Sequence, residues 1–130
     1  MNDEIHFDHV GPHFLVADVR TAVEFYSTSL GFEVDYLDGS PPHYAVVCRD
    51  EVYLHLSLQG LQGFPDGPGC AFVAVTGVEL LWARISSTAT EVVEPLADRD
   101  YDQGVRFRVF TIRDPDRNVL RIGEMLSTPE

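Results

Sequence analysis

Phe25-Tyr26-Ser27-Thr28-Ser29-Leu30-Gly31-Phe32-Glu33-Val34 is the stretch that decides the fold, because a helix ends there at a glycine and turns straight into a strand. The apolar side chains at 19, 23, 26 and 30 are spaced by four, three and four. That is one face of an α-helix, and Gly31 supplies the backbone freedom that closes it. A shift of 59 residues carries Val16, Val19, Val23, Tyr26, Leu30 and Val34 onto Val75, Val78, Trp82, Ile85, Ala89 and Val93, apolar at every position. The chain is a doubled unit, and the helix face of each half must pack on a sheet.

Worked outward from this helix, the first half reads as a strand over 5–16, the helix over 19–30, and strands over 32–38, 43–49 and 52–58. The order is βαβββ. Residues 59–69 hold four glycines and two prolines and form the linker. The second half reads as a strand over 70–76, a helix over 78–89, a short strand over 91–94, and a hairpin of 106–113 and 119–125, again βαβββ. The charged segment 95–104 reads as an inserted loop, either a lid or binding loop or a solvated insertion. The expected class is α+β, with both repeats (about 5–58 and 70–126) in one domain spanning 1–130, a size that buries a real core.

Twenty-one acidic against nine basic residues give a net charge of -12, which repels nucleic acid and anionic membrane and attracts cations. No apolar run approaches the roughly 20 residues of a membrane span, and the start is acidic where a signal peptide is basic. The reading is therefore a cytoplasmic protein with no nucleic-acid or membrane partner. Cys48 and Cys70 lack CxxC spacing and read as two reduced, packed thiols. The chain has no nucleophile elbow, phosphate-cradling glycine loop or HExxH helix, so hydrolase, kinase and protease readings drop out.

Strand alternation assigns the faces. In 52–58, Leu54, Leu56 and Leu58 face the helices while Tyr53, His55 and Ser57 lie opposite. In the last strand Leu120 and Ile122 are inward and Arg121 is opposite; in the first, Val10, Phe14 and Val16 are inward, with His9, Gly11 and His13 opposite. The mixed polar and aromatic face is the natural floor of a ligand cleft. His13, Tyr53, His55, Phe72, Phe107 and Arg121 are its candidate residues. The aromatics either stack on a flat ligand or pack at a dimer seam, and Arg121 either pairs with a protein carboxylate or meets an anionic group of the ligand. His6 and His43 read as solvated.

Val16-Ala17-Asp18-Val19 entering the helix, the FYSTSLGFEV stretch, and Ile112-Arg113-Asp114-Pro115-Asp116 with Asn118 and a final strand ending in Gly123-Glu124 resemble the vicinal oxygen chelate superfamily. That superfamily includes glyoxalase I, ring-cleaving dioxygenases, fosfomycin-resistance enzymes and bleomycin-resistance proteins. The resemblance covers nearly the whole chain. It implies paired βαβββ modules forming a cup-shaped mixed sheet with helices on its outer face, in a homodimer with clefts where modules or chains meet. It also implies that metal-using members place ligands at positions matching Gly11, His55, Cys70 and Arg121. Only His55 is a customary ligand there; glycine has no side chain and a guanidinium repels a divalent metal.

A dismantled metal site resembles the bleomycin-resistance branch, as do Tyr44 to Asp50 followed by Leu54-His55-Leu56. Two departures stand out. Bleomycin binders carry a tryptophan in the loop before the seventh strand, whereas Trp82 lies in the second helix at a core position. The family turn reads DPDGN, and Arg117 replaces its glycine, which leaves Asn118 to take the left-handed conformation. The expected function is metal-independent binding of a cationic or planar small molecule without a cofactor, sequestering an antibiotic or similar toxic compound. The alternatives are a metal-dependent isomerase, lyase or dioxygenase, or a dimer whose cleft has decayed. For the metal alternative, a two-residue bulge in the first strand brings His9 to the first ligand position beside His55, with Glu124 as the third group if the last strand also bulges.

Overall fold

A computed structural model describes residues 5–60 and 67–127. In chain order it holds β1 (His13–Val16), α1 (Val19–Leu30), β2 (Glu33–Gly39), β3 (Pro42–Arg49), β4 (Val52–Leu58), β5 (Cys70–Ala74), α2 (Val78–Ser86), β6 (Glu91–Asp100), β7 (Arg106–Arg113) and β8 (Val119–Ser127). The fold is α+β, βαβββ twice. Positions 61–66 of the linker lie outside the described residues.

Each half folds into its own four-stranded mixed sheet, in the orders β1-β4-β3-β2 and β5-β8-β7-β6. The pairs β1–β4 and β5–β8 are parallel, and the others are antiparallel. Leu54 and Leu56 of the first sheet and Phe110, Ile112, Leu120 and Ile122 of the second belong to one buried cluster with Val19, Tyr26, Val78 and Ile85 of the helices. One face of each sheet is thereby committed to a shared core. Alternation leaves the other face of each sheet turned away from it.

Helix α1 forms where its sequence demands. Asp18 caps it by accepting a hydrogen bond from Thr21 N at 2.9 Å, and Gly31 closes it at φ 72°, with Gly31 N bonded to Ser27 O and Phe32 N to Tyr26 O. Helix α2 stops at Ser86, short of the expected 89. Its following hydroxyls bond back to the helix end, Ser87 Oγ to Arg84 O and Thr88 Oγ1 to Ile85 O, and so end the helix early.

Three expectations are corrected. Regular pairing of the first strand begins only at His13, because Gly11 and Pro12 interrupt the run and proline has no N–H to give the ladder; Val10 is accordingly exposed, not inward. The segment 95–104 is not an inserted loop. Strand β6 runs to Asp100 against β7, with two bulges around Val93 and Pro95 that absorb the proline, and its charges meet β7 arginines across the strands: Arg108 with Asp98 at 2.7 Å and Arg106 with Asp100 at 2.5 Å. In the turn after β7, Arg117 itself takes the left-handed conformation at φ 72°, so Asn118 is spared.

That turn ties the halves together. The buried Asp114 accepts hydrogen bonds from Tyr26 Oη of α1 at 2.8 Å, from Asn118 Nδ2 and N, and from Asp116 N. Asn118 Nδ2 also donates to Leu15 O, its Oδ1 accepts from Gly69 N, and Asp116 accepts from Ala17 N. Burial and the Asp114 carboxylate raise the Tyr26 phenol far above its ordinary range, which keeps it a neutral donor.

Candidate functional site

The outward faces of the two sheets carry the six candidate cleft residues in two separate sets. On the first sheet, the parallel register sets His13 beside His55, and their rings stack with centroids 4.6 Å apart at 15°. Tyr44, across from Ser57 on β3, is hydrogen-bonded through its hydroxyl to His55 Nδ1, and Ser57 Oγ lies 3.2 Å from His13 Nδ1. Tyr36 packs edge-on against Tyr44. Tyr53 shares the face of His55 two residues away and is exposed, with no ring partner among the described residues. Burial, and then the charges of His13 and His9, lower the His55 pKa below its ordinary value, so the ring is neutral at pH 7.

Gly11 lies against this cluster. A Cβ at that position would collide with His55 Nε2, so the glycine is the residue that lets the chain pass over the imidazole. His55 thus has one nitrogen bonded to Tyr44 and the other against the Gly11 backbone.

On the second sheet, Phe72 of β5, Phe107 and Val109 of β7, Arg121 of β8, and Tyr101 and Val105 from the β6–β7 connection line a cavity of about 330 Å³. Phe72 and Phe107 meet edge to face at 6.0 Å, as do Tyr101 and Phe107 at 6.1 Å. Arg121 Nη1 lies 3.1 Å from Glu94 Oε1. This answers one alternative left open by the sequence: the guanidinium has a protein carboxylate and still faces the cavity.

The four positions matched to metal ligands fall as Gly11 with His55 on one sheet and Cys70 with Arg121 on the other. They do not fit a divalent metal: one lacks a side chain, one is a cation, and a single imidazole with a single thiol makes an incomplete ligand set. Glu124 does not join His9 and His55. It faces α2, where its Oε1 accepts hydrogen bonds from Gly77 N at 2.8 Å and Val78 N at 3.0 Å, as strict alternation from Leu120 requires, the register shift of β8 falling beyond it at Leu126. These bonds to the helix N-terminus lower its pKa. Among the described residues no three His, Cys, Asp or Glu side chains are gathered as a metal would need. Both cysteines are free, but Cys70 is exposed rather than packed.

Two residues of these faces escaped sequence reasoning. Tyr44 was legible, since alternation about the inward Ala45 and Val47 puts it beside His55. Tyr101 was hidden because its segment read as solvated loop.

A family model described as "Glyoxalase/Bleomycin resistance protein/Dioxygenase superfamily" matches residues 6–122. The chain belongs to this superfamily. Among solved structures, this superfamily member is similar to TioX from Micromonospora sp. ML1, with a TM-score of 0.79 at 16% identity over 92% of this chain and 100% of that one. It is also similar to an integron cassette protein from the mobile metagenome of V. cholerae (TM-score 0.71, 20% identity, 92% of this chain and 97% of that chain). A glyoxalase/bleomycin resistance protein/dioxygenase from Alicyclobacillus acidocaldarius gives a TM-score of 0.72 at 16% identity over 92% of each chain. At such identities the likeness shows the fold alone. No curated protein matches the chain by sequence. Among the described residues no helix is long and apolar enough to cross a membrane.

Proposed function

We propose that this superfamily member is a metal-independent small-molecule binding protein that works stoichiometrically as a homodimer, holding a planar antibiotic or similar toxic compound away from its target. The observation that carries the reading is the chemistry at the family's ligand positions. Arg121 brings a permanent positive charge where a metal-using relative needs a donor, and Nδ1 of His55 is taken up by the Tyr44 hydroxyl. What remains on the second sheet is an aromatic cavity of about 330 Å³, within the size range of small-molecule pockets. Its rings supply stacking area and no nucleophile. The bleomycin-resistance proteins after which the superfamily is partly named provide the precedent for such a role.

Elemental analysis of protein purified without affinity resin, paired with calorimetry against planar antibiotics including bleomycin-type glycopeptides, tests the reading. The expected result is substoichiometric metal, measurable heat with at least one planar compound, and a rise in melting temperature with that compound. Near-stoichiometric zinc, iron, manganese or nickel would reverse it in favour of a metal-dependent enzyme. His55 and His9 would then be the first positions to substitute.

A further inference from the structure

We infer that the cavity on the second sheet is built for a planar aromatic acid, a fused-ring body bearing a carboxylate or phenolate oxygen that Arg121 receives. This deepens the small-molecule reading and rests on it. Shape sets the body of the ligand. Three rings meeting at 79° and 85°, together with Val105 and Val109, line an open cavity whose volume is near the lower end of ligand pockets, suited to a two-ring system rather than a macrocycle.

Charge sets the substituent. Glu94 is shared by two guanidinium groups, with Arg121 Nη1 at 3.1 Å from Oε1 and Arg99 Nη2 at 2.5 Å from Oε2, and Thr111 Oγ1 donates to Oε1 at 3.0 Å. Two cations against one carboxylate leave this group with one net positive charge, and Arg121 is the member of it that lines the cavity. Arg121 spends only Nη1 on Glu94, and its other N–H groups have no partner among the described residues. A guanidinium with donors to spare beside aromatic walls is a receptor for a planar oxyanion. The net charge of -12 favours cations during approach, but that field is screened over about 8 Å at physiological salt, whereas Arg121 acts at contact.

Calorimetry of the full chain with 2-naphthoate, 2-naphthamide and 2-naphthylmethylammonium separates the possibilities. The acid should bind tightest, and Arg121→Gln should weaken it about tenfold while changing the amide less than about threefold. Glu94→Gln should tighten the acid, because Arg121 loses its protein partner; this second variant keeps the test decisive if Arg121→Gln fails to fold. Added salt should speed association of the acid by screening the acidic surface. Tighter binding of the ammonium than of the acid, or unchanged acid affinity in Arg121→Gln, would overturn this inference and leave the small-molecule reading standing. Silence from all three probes, together with no heat from the planar antibiotics, would overturn both.

Discussion

At the scale of single residues, two backbone positions show how a side chain's absence or presence is felt. Arg117 sits at φ 72°, a conformation that costs an L-residue about 1–2 kcal/mol, and it does so where the family turn carries glycine. Arg117→Gly should therefore stabilise the protein by about 0.5–1 kcal/mol after the added entropy of the unfolded glycine, visible as a rise of ~2–6 °C in melting temperature. A fall in Tm would show that the Arg117 side chain makes a compensating contribution. His55 governs a second measurement. Its pKa is lowered in the fold, first by burial and then by His13 and His9, whereas the unfolded chain carries an imidazole that protonates near 6.5. Between those two values the unfolded state binds more protons, so falling pH favours unfolding. Stability from this group is complete above pH 6.5 and declines on acidification through the window below it. Urea titrations at pH 7.5 and 5.5 should show that decline in the native chain and less of it in His55→Gln. Equal slopes in the two proteins would place the acid sensitivity elsewhere.

At the scale of elements, the β7–β8 turn is the clamp of the structure. Asn118 makes three side-chain hydrogen bonds, reaching Gly69, Leu15 and Asp114 at 2.7, 3.0 and 2.9 Å, while itself fully buried. Asn118→Ala leaves all three partners short of a bond, two of them in a buried place, and should cost about 3 kcal/mol or more. Tyr26→Phe removes only one of four donors to Asp114 and should cost about 1–2 kcal/mol. Urea midpoints at unchanged m-value measure both, and a smaller loss in Asn118→Ala than in Tyr26→Phe would contradict this ranking. Glu124 has the analogous role at α2. Glu124→Ala should speed amide exchange at Gly77 and Val78 without changing exchange in α1, since those two amides lose their acceptor.

At the scale of the whole molecule, the shared core leaves large apolar side chains uncovered on both outward faces. Tyr36, Tyr53 and Phe72 are 52%, 41% and 52% exposed, and Ile5, Phe7 and Val10 ahead of β1 are more exposed still. Such surface favours association with a second copy, and the four sheet edges add unpaired backbone groups. The proposed homodimer predicts that sedimentation at tens of micromolar returns about twice the 14.5 kDa of one chain. Sedimentation as a monomer would mean that each outward face works alone.

The doubled βαβββ plan, α1 to the residue, and the inward leucines of β4 were legible in the sequence because they rest on local physics: periodicity, a cap at Asp18 and a left-handed glycine at Gly31. Alternation also placed Glu124 toward the helices. What local rules could not reach were features set by partners distant in the chain. Strand β6 extends to Asp100 because β7 arginines neutralise its acids, a pairing invisible while 95–104 is read alone. His55 Nδ1 meets the Tyr44 hydroxyl only when β3 pairs with β4, and Arg121 and Arg99 converge on one carboxylate only when β6, β7 and β8 lie side by side. The sequence thus determined the fold's repeat and the faces on which chemistry can occur. The division of the six candidate residues between two sheets was decided by tertiary structure, because the core that both halves share is what turns those faces apart.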